Sequence, residues 1–191
     1  MSKLYFRYGT MNSGKSSLLM QVAYNYQENN KKVIVIKSII DTKADNHIES
    51  RIGLKRKVDI LLNKNESLKK YYKMFNNISC ILVDEAQFLS VKQVEELWII
   101  TKKLNIPVIC YGLKTDFKSK LFKASKRLLE LSDVIEELIT ICNCGKRAKF
   151  NVRFVNNKYT DKGEEIIIDK TKNDVKYIPM CGQCYLNIKN K

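Results

Sequence analysis

The stretch Gly9–Ser16 reads GTMNSGKS and fits G-x-x-x-x-G-K-[ST], the pattern of a phosphate-binding loop. Its flanks suit that reading. Leu4, Tyr5 and Phe6 before it favour an extended strand, and SSLLMQVAYNY after it favours a helix over about Ser16–Tyr26. Gly9 and Gly14 let the backbone turn tightly enough for the amides of the loop, Thr10, Met11, Asn12 and Ser13 included, to point at phosphate oxygens. Lys15 then reaches the terminal phosphates, and the Ser16 hydroxyl is placed for Mg2+ at the positive end of the helix. A glycine-punctuated turn matching by chance is the competing reading, and the strand and helix on either side argue against it.

A second stretch answers the first. Asn77–Phe88, NISCILVDEAQF, is an apolar run ending in two carboxylates, as expected of a buried parallel strand whose tip carries a magnesium-directing Asp84. Neighbours in a strand face opposite ways, so Asp84 and Glu85 are expected to do different jobs, one toward the metal shell and one toward a phosphoryl acceptor. Together the two stretches predict an α/β fold of the P-loop NTPase kind, a mostly parallel sheet flanked by helices.

The chain has 191 residues, 45% of them apolar, enough for one full core and a small appendage. The expected division is a nucleotide-binding domain over 1–140 and a zinc-binding unit over 141–191. No apolar run approaches the ~20 residues of a membrane span, and strand and phosphate loop begin too early for a cleavable signal, so a cytosolic protein without a membrane partner is expected. The net charge of +15 raises the question of nucleic acid. Only 6 of the 35 basic residues are arginines and the lysines are spread evenly, so no nucleic-acid partner is expected.

Val33–Ile36 reads as the second strand. Asp41 and Lys43 follow at its carboxyl end, the edge where ligands bind in open α/β sheets. Asp45–Lys57 reads as a flexible loop holding the only histidine, His47, an ordinary surface residue. Glu66–Phe75 reads as an amphipathic helix. Ser90 is a candidate N-cap for a helix whose apolar face is Val91, Val94, Leu97, Trp98 and Leu104. Ile106–Tyr111 is another strand, Lys123–Leu131 a helix and Val134–Ile141 a strand. Leu113, Phe117 and Phe122, just past a strand end, either roof a pocket for a flat ligand or cover the core under a loop. A β-hairpin is expected of Phe150–Val155 with Ile166–Asp169, turning at NNKYTDKG. Cys181 and Cys184 have the C-x-x-C spacing of a zinc half-site, while Cys142 and Cys144 have one residue between them. One tetrahedral structural Zn2+ held by all four is favoured, with a disulfide or unbound thiols as alternatives. Cys80 and Cys110 read as inert core thiols.

The phosphate loop, the DEAQF strand end, the GLKTDF segment and the terminal cysteine-bound hairpin, taken in that order, resemble the type II thymidine kinases, the family of cytosolic cellular, bacterial and poxviral enzymes. The resemblance implies transfer of the γ-phosphoryl of ATP to the 5′-hydroxyl of thymidine or deoxyuridine in nucleotide salvage. It gives Glu85 the role of general base, Lys15 the transferring phosphoryl, and Ser16 and Asp84 the magnesium shell. Asp41 and Lys43 match a family Asp-x-Arg near the phosphates, and Gln87 falls in the family's nucleotide segment. Met11, Phe88, Leu113, Phe117 and Phe122 match the walls of the thymine pocket. Tyr177 matches the tyrosine of a lasso whose backbone, here Ile166, Ile167, Ile168, Asp169 and Lys170, grips the base. A homotetramer and feedback inhibition by dTTP are further implications.

This sequence departs from the family at several points. Lys43 replaces the arginine, a point charge for a bidentate fork. Lys114 stands where an acid is usual and Leu121 where a proline is usual, and the lasso lacks its Gly-Gly. Two other functions compete. A nucleoside monophosphate kinase needs clustered arginines for the extra phosphate, and here they are scattered. A nucleic-acid-dependent ATPase with a basic zinc ribbon has net charge as its main support.

Overall fold

A computed structural model of the protein describes residues 1–39, 46–163 and 175–190. From Leu4 to Glu137, short runs of β-branched and aromatic residues alternate with helices: β1 (Leu4–Tyr8), α1 (Lys15–Glu28), β2 (Val33–Ser38), β3 (His47–Glu49), β4 (Lys55–Lys57), β5 (Ile60–Leu62), β6 (Cys80–Asp84), α2 (Val91–Lys103), β7 (Val108–Gly112), α3 (Lys123–Leu131) and β8 (Val134–Glu137). Six of the strands form one sheet in the order β5-β2-β6-β7-β1-β8, and every pairing in it is parallel.

Alternation along the strands divides the core. Val35, Leu82, Ile109 and Tyr111 face one way and meet Leu19, Met20 and Ala23 of α1. Their neighbours Ile34, Ile36, Ile81, Val83 and Val108 face the other way and meet Val94, Leu97 and Ile100 of α2 and Ala124 and Leu128 of α3. Helices on both faces leave no wet side, which is why these strands read as continuous apolar runs. On α2 the apolar face is narrower than the sequence suggests: Val91, Trp98 and Leu104 are exposed.

The remaining strands, β9 (Phe150–Val155), β10 (Lys158–Tyr159) and β11 (Val175–Met180), form a second, antiparallel sheet in the order β10-β9-β11, followed by α4 (Gly182–Lys189). It has its own small core around Cys142, Ala148, Val152, Met180 and Cys181.

Several elements differ from expectation. Asp45–Lys57 is no featureless loop, since β3 and β4 pair antiparallel within it, pinned by Ile48, which is 1% exposed. Leu68–Phe75 is a 3-10 helix. Tyr71, Tyr72 and Phe75 are weak α-helix formers, and Ser67 and Glu96 take its first amides. β8 stops at Glu137 because Ile141 leaves the sheet to bridge Arg147. β9 turns into β10 through Asn156 and Asn157 alone, both at positive φ, as the two-residue turn of a tight hairpin requires. The long turn expected at NNKYTDKG is therefore a short one, and β9 also pairs with β11. The expected strand Ile166–Asp169 lies outside the described residues.

Ser90 does cap α2, in a reciprocal box with Gln93. Gln93 is buried, and its Nε2 also donates to the carbonyls of Asn63 at 2.7 Å and Glu66 at 2.8 Å, fastening the β5 exit to the helix start. Gln93→Ala is expected to cost about 2 kcal/mol by removing the cap bond and stranding two acceptors. Thermal melting should register this as a fall of roughly 4–8 °C.

Candidate active site

The phosphate loop begins where β1 ends, beside β7. Gly9 N–H donates to Gly112 O at 3.3 Å. A Cβ on Gly9 would fall 2.4 Å from Ser13 Oγ and 2.6 Å from the Leu138 carbonyl, so no side chain fits there. Asn12 and Gly14 take positive φ of 66° and 76°, which wraps the chain around before α1 starts. Lys15 Nζ donates to Thr10 O at 2.8 Å and to Gly9 O and Ser13 Oγ at 3.4 Å. Burial lowers the Lys15 pKa, while Glu85 and Asp84 pull it the other way.

Asp84 ends β6 level with Lys37 of β2. The Ser16 hydroxyl donates to Asp84 Oδ2 at 3.2 Å. Burial, and then the charge of Glu85, push the Asp84 carboxyl up to about 7. A divalent cation held by Ser16 and Asp84 is the kind of partner that makes the ionised form of such a desolvated acid favourable, so this hydroxyl and carboxylate fit Mg2+.

Strand alternation does not govern Glu85. Its φ of 49° turns it out of β6 into a 3-10 turn over Ala86–Phe88, and both carboxylates border the same cavity. Gln87 Nε2 donates to Glu85 Oε2 at 2.5 Å, and Gln87 Oε1 accepts the Leu113 N–H at 3.0 Å.

The cavity is about 680 Å³. Its lining includes a polar set, Asn12, Gly14, Lys15, Ser16, Asp84 and Glu85, and an apolar set, Met11, Phe88, Leu113, Phe117, Phe122 and Tyr177. Phe88 meets Phe122 edge-on at 6.0 Å and Phe117 meets Tyr177 edge-on at 6.5 Å, and these four rings line the cavity, a chemistry suited to a flat apolar ring. Leu113, Phe117 and Phe122 thus line the cavity as well as covering core. The loop between them is shaped by Asp116, whose Oδ1 accepts the amides of Lys118 and Lys120 at 2.8 Å. Gly9, Thr10 and Ser13 do not line the cavity but accept from Lys15 Nζ. Asp41, Lys43 and the segment Ile166–Lys170 lie outside the described residues.

Other residues at the cavity had escaped the sequence reading. Arg51 and Ile52 reach it from the β3–β4 turn, and Lys37 lines it while donating to the His47 carbonyl at 3.1 Å. His47 itself is exposed at the surface. Asn151 of β9 lines it too, and its Oδ1 accepts the Met11 N–H at 2.8 Å, tying the second sheet to the phosphate loop. Two residues on, the buried Arg153 guanidinium lies 3.6 Å from the Phe117 ring centre. Period-2 reading of Phe150–Val155 marks 151 and 153 as one face, and that was the available signal.

Flanking the second sheet, the four sulfurs of Cys142, Cys144, Cys181 and Cys184 all lie within 4.8 Å of one another. Cys144 and Cys181 are 3.6 Å apart, near the ~3.8 Å edge of a tetrahedron with Zn–S bonds of ~2.3 Å. Gly145 at φ 81° closes the turn, its N–H on the Cys142 carbonyl at 2.8 Å, which lets a C-x-C pair converge. The backbone amides of Cys144 and Cys181 push Cys142 down to about 6, whereas Cys184 rises to about 12 by sharing its proton with its sulfur neighbours. This thiol set fits a zinc ion. Cys80 and Cys110 are buried in β6 and β7, and burial pushes Cys80 up to about 12 and Cys110 higher still, so both are inert.

The family model described as thymidine kinase matches residues 2–185. A thymidine kinase of Francisella tularensis subsp. tularensis is 40% identical over 187 residues, 95% of each chain. One of Streptococcus pyogenes serotype M3 is 39% identical over 189 residues, 98% of each chain.

The loop geometry makes Gly9 a sensitive position. Gly9→Ala is expected to destabilise the chain by about 1–3 kcal/mol through overpacking, and to weaken binding of a nucleoside triphosphate in isothermal titration. Unchanged melting and binding would refute this account of the loop.

Proposed function

The chain belongs to the thymidine kinase family, and from that premise we propose how its own residues move the γ-phosphoryl of ATP to the 5′-hydroxyl of thymidine. The single observation that carries the reading is one cavity lined by phosphate-loop residues, by Glu85 and by a set of aromatic side chains.

Thymine lies between Phe88, Phe117, Phe122 and Tyr177, with Met11 and Leu113 closing the slot and the backbone of 166–170 gripping the base edge. The sugar then points its 5′-hydroxyl at Glu85, which accepts the proton as the oxygen attacks phosphorus. The ATP phosphates lie along the amides from Gly9 to Ser16, with Lys15 steadying the charge on the transferring group. Asp41 and Lys43, on the resemblance, belong to the nucleotide end. Ser16 and Asp84 hold Mg2+, which supplies charge neutralisation on the phosphates. Deoxyuridine, lacking only the methyl group, is the expected second acceptor. Residues 1–140 form the nucleotide-binding unit and 141–191 the zinc-binding lasso. A cytosolic homotetramer inhibited by dTTP completes the reading, on the resemblance alone.

The acceptor question separates this reading from a nucleoside monophosphate kinase. The cavity carries one arginine, Arg51, among its lining residues, and a second phosphate on the acceptor calls for several. With Mg2+ and ATP, thymidine should be converted to its monophosphate while thymidylate is left unphosphorylated, and DNA should not stimulate ATP hydrolysis. Glu85→Gln is expected to lower kcat by about 10²- to 10⁴-fold with ATP binding retained. Normal turnover in that variant would remove the general base from the mechanism.

For the cysteine cluster, about one zinc per chain is expected from elemental analysis of reduced protein. Zinc binds thiolates and protons compete for the same four sulfurs, so affinity is expected to fall as pH falls. Because Asn151 follows this cluster into β9 and holds Met11 N–H, chelation should also weaken triphosphate binding.

A further inference from the structure

Gln87 is 3% exposed, and both ends of its amide are engaged. The orientation follows from chemistry: the Leu113 N–H can only donate, so Gln87 Oε1 must face it, which leaves the NH2 group for Glu85 Oε2 at 2.5 Å. β7 keeps room for this amide. A Cβ at Gly112 would stand 2.7 Å from Gln87 Oε1 and 3.2 Å from the Gln87 backbone nitrogen. Glu85 sits at a positive φ of 49°, a conformation that a non-glycine residue keeps only where its surroundings fix it. With Oε2 engaged by the amide, Oε1 is the oxygen left to meet a hydroxyl proton.

We infer that Gln87 is a positioning residue for the base and not a ligand of the nucleotide. Its NH2 group commits one Glu85 oxygen and presents the other to the acceptor. Its carbonyl anchors the backbone of Leu113, whose side chain walls the nucleoside slot. One amide therefore sets the alignment of the carboxylate and the position of the wall against which the substrate rests. The inference rests on Glu85 being the general base.

The test is steady-state kinetics of Gln87→Glu and Gln87→Met with thymidine and Mg·ATP. Gln87→Glu keeps an acceptor for Leu113 but turns the donor facing Glu85 into a second carboxylate. Gln87→Met removes the donor without adding charge, and stands in if the first variant folds poorly. A misaligned reacting group costs on the order of 10²-fold, so kcat should fall by roughly that factor in Gln87→Glu and by at least about 10-fold in Gln87→Met. The KM for ATP should stay within about 2-fold, since the inferred role touches no part of the nucleotide. In a Glu85→Gln background, Gln87→Met should add no further loss, because its effect passes through the missing carboxylate. Full kcat in both variants, a raised ATP KM at unchanged kcat, or full additivity with Glu85→Gln would each overturn the inference. Wild-type protein unable to phosphorylate thymidine, or a fully active Glu85→Gln, would instead sink the underlying mechanism.

Discussion

Parallel pairing obliges every strand to finish on the same side of a sheet, and the ladder here runs β2-β6-β7-β1 without a break. Its register sets Tyr8 beside Gly112 and Lys37 beside Asp84. The turn after β1, the carboxylates after β6 and the Leu113 backbone after β7 are thereby delivered to one edge. A slip of one residue in β6 would exchange Ile81 and Val83 for Leu82 on the α2 face and carry Asp84 off the Ser16 hydroxyl, so the packing that fixes the core also fixes the site.

That edge collects charge in a place with little water. Asp84 is buried and Lys15 partly so, and desolvation works against the charged form of each, lowering one pKa and raising the other. Such groups are costly to a fold on its own and favourable to a ligand that brings the opposite charges. Arg153 shows a third solution, a guanidinium buried against the face of Phe117.

The phosphate loop, the two carboxylates, the flanking strands and helices and the four cysteines were legible because each is a local pattern, set by spacing over a few residues. What escaped reading depends on chain segments far apart. Asn151 meets Met11 across 140 positions, and Gln87 is engaged by Leu113 across 26. The β3–β4 ribbon hid because its strands are three residues each and mostly polar, leaving Ile48 and Val58 as the only buried apolar anchors at its ends. Alternation misled at Glu85 because its positive φ ends the strand one residue before the pattern does. In the cysteine unit, the tight Asn156–Asn157 turn follows from side chains that tolerate left-handed backbone, a rule available in the sequence but overlooked beside the longer polar run.

The contact between Asn151 and the Met11 amide has a consequence for how this architecture can change. A short antiparallel sheet beside a cluster of four cysteines is an easy thing to transplant, yet here it supplies the carbonyl that holds one amide of the loop in place. A foreign ribbon spliced in after β8 would keep its own fold and still leave that amide without its acceptor. The two halves are thus not interchangeable modules, and recombination between relatives should succeed only where the donor carries a hydrogen-bond acceptor at the same height on its first strand.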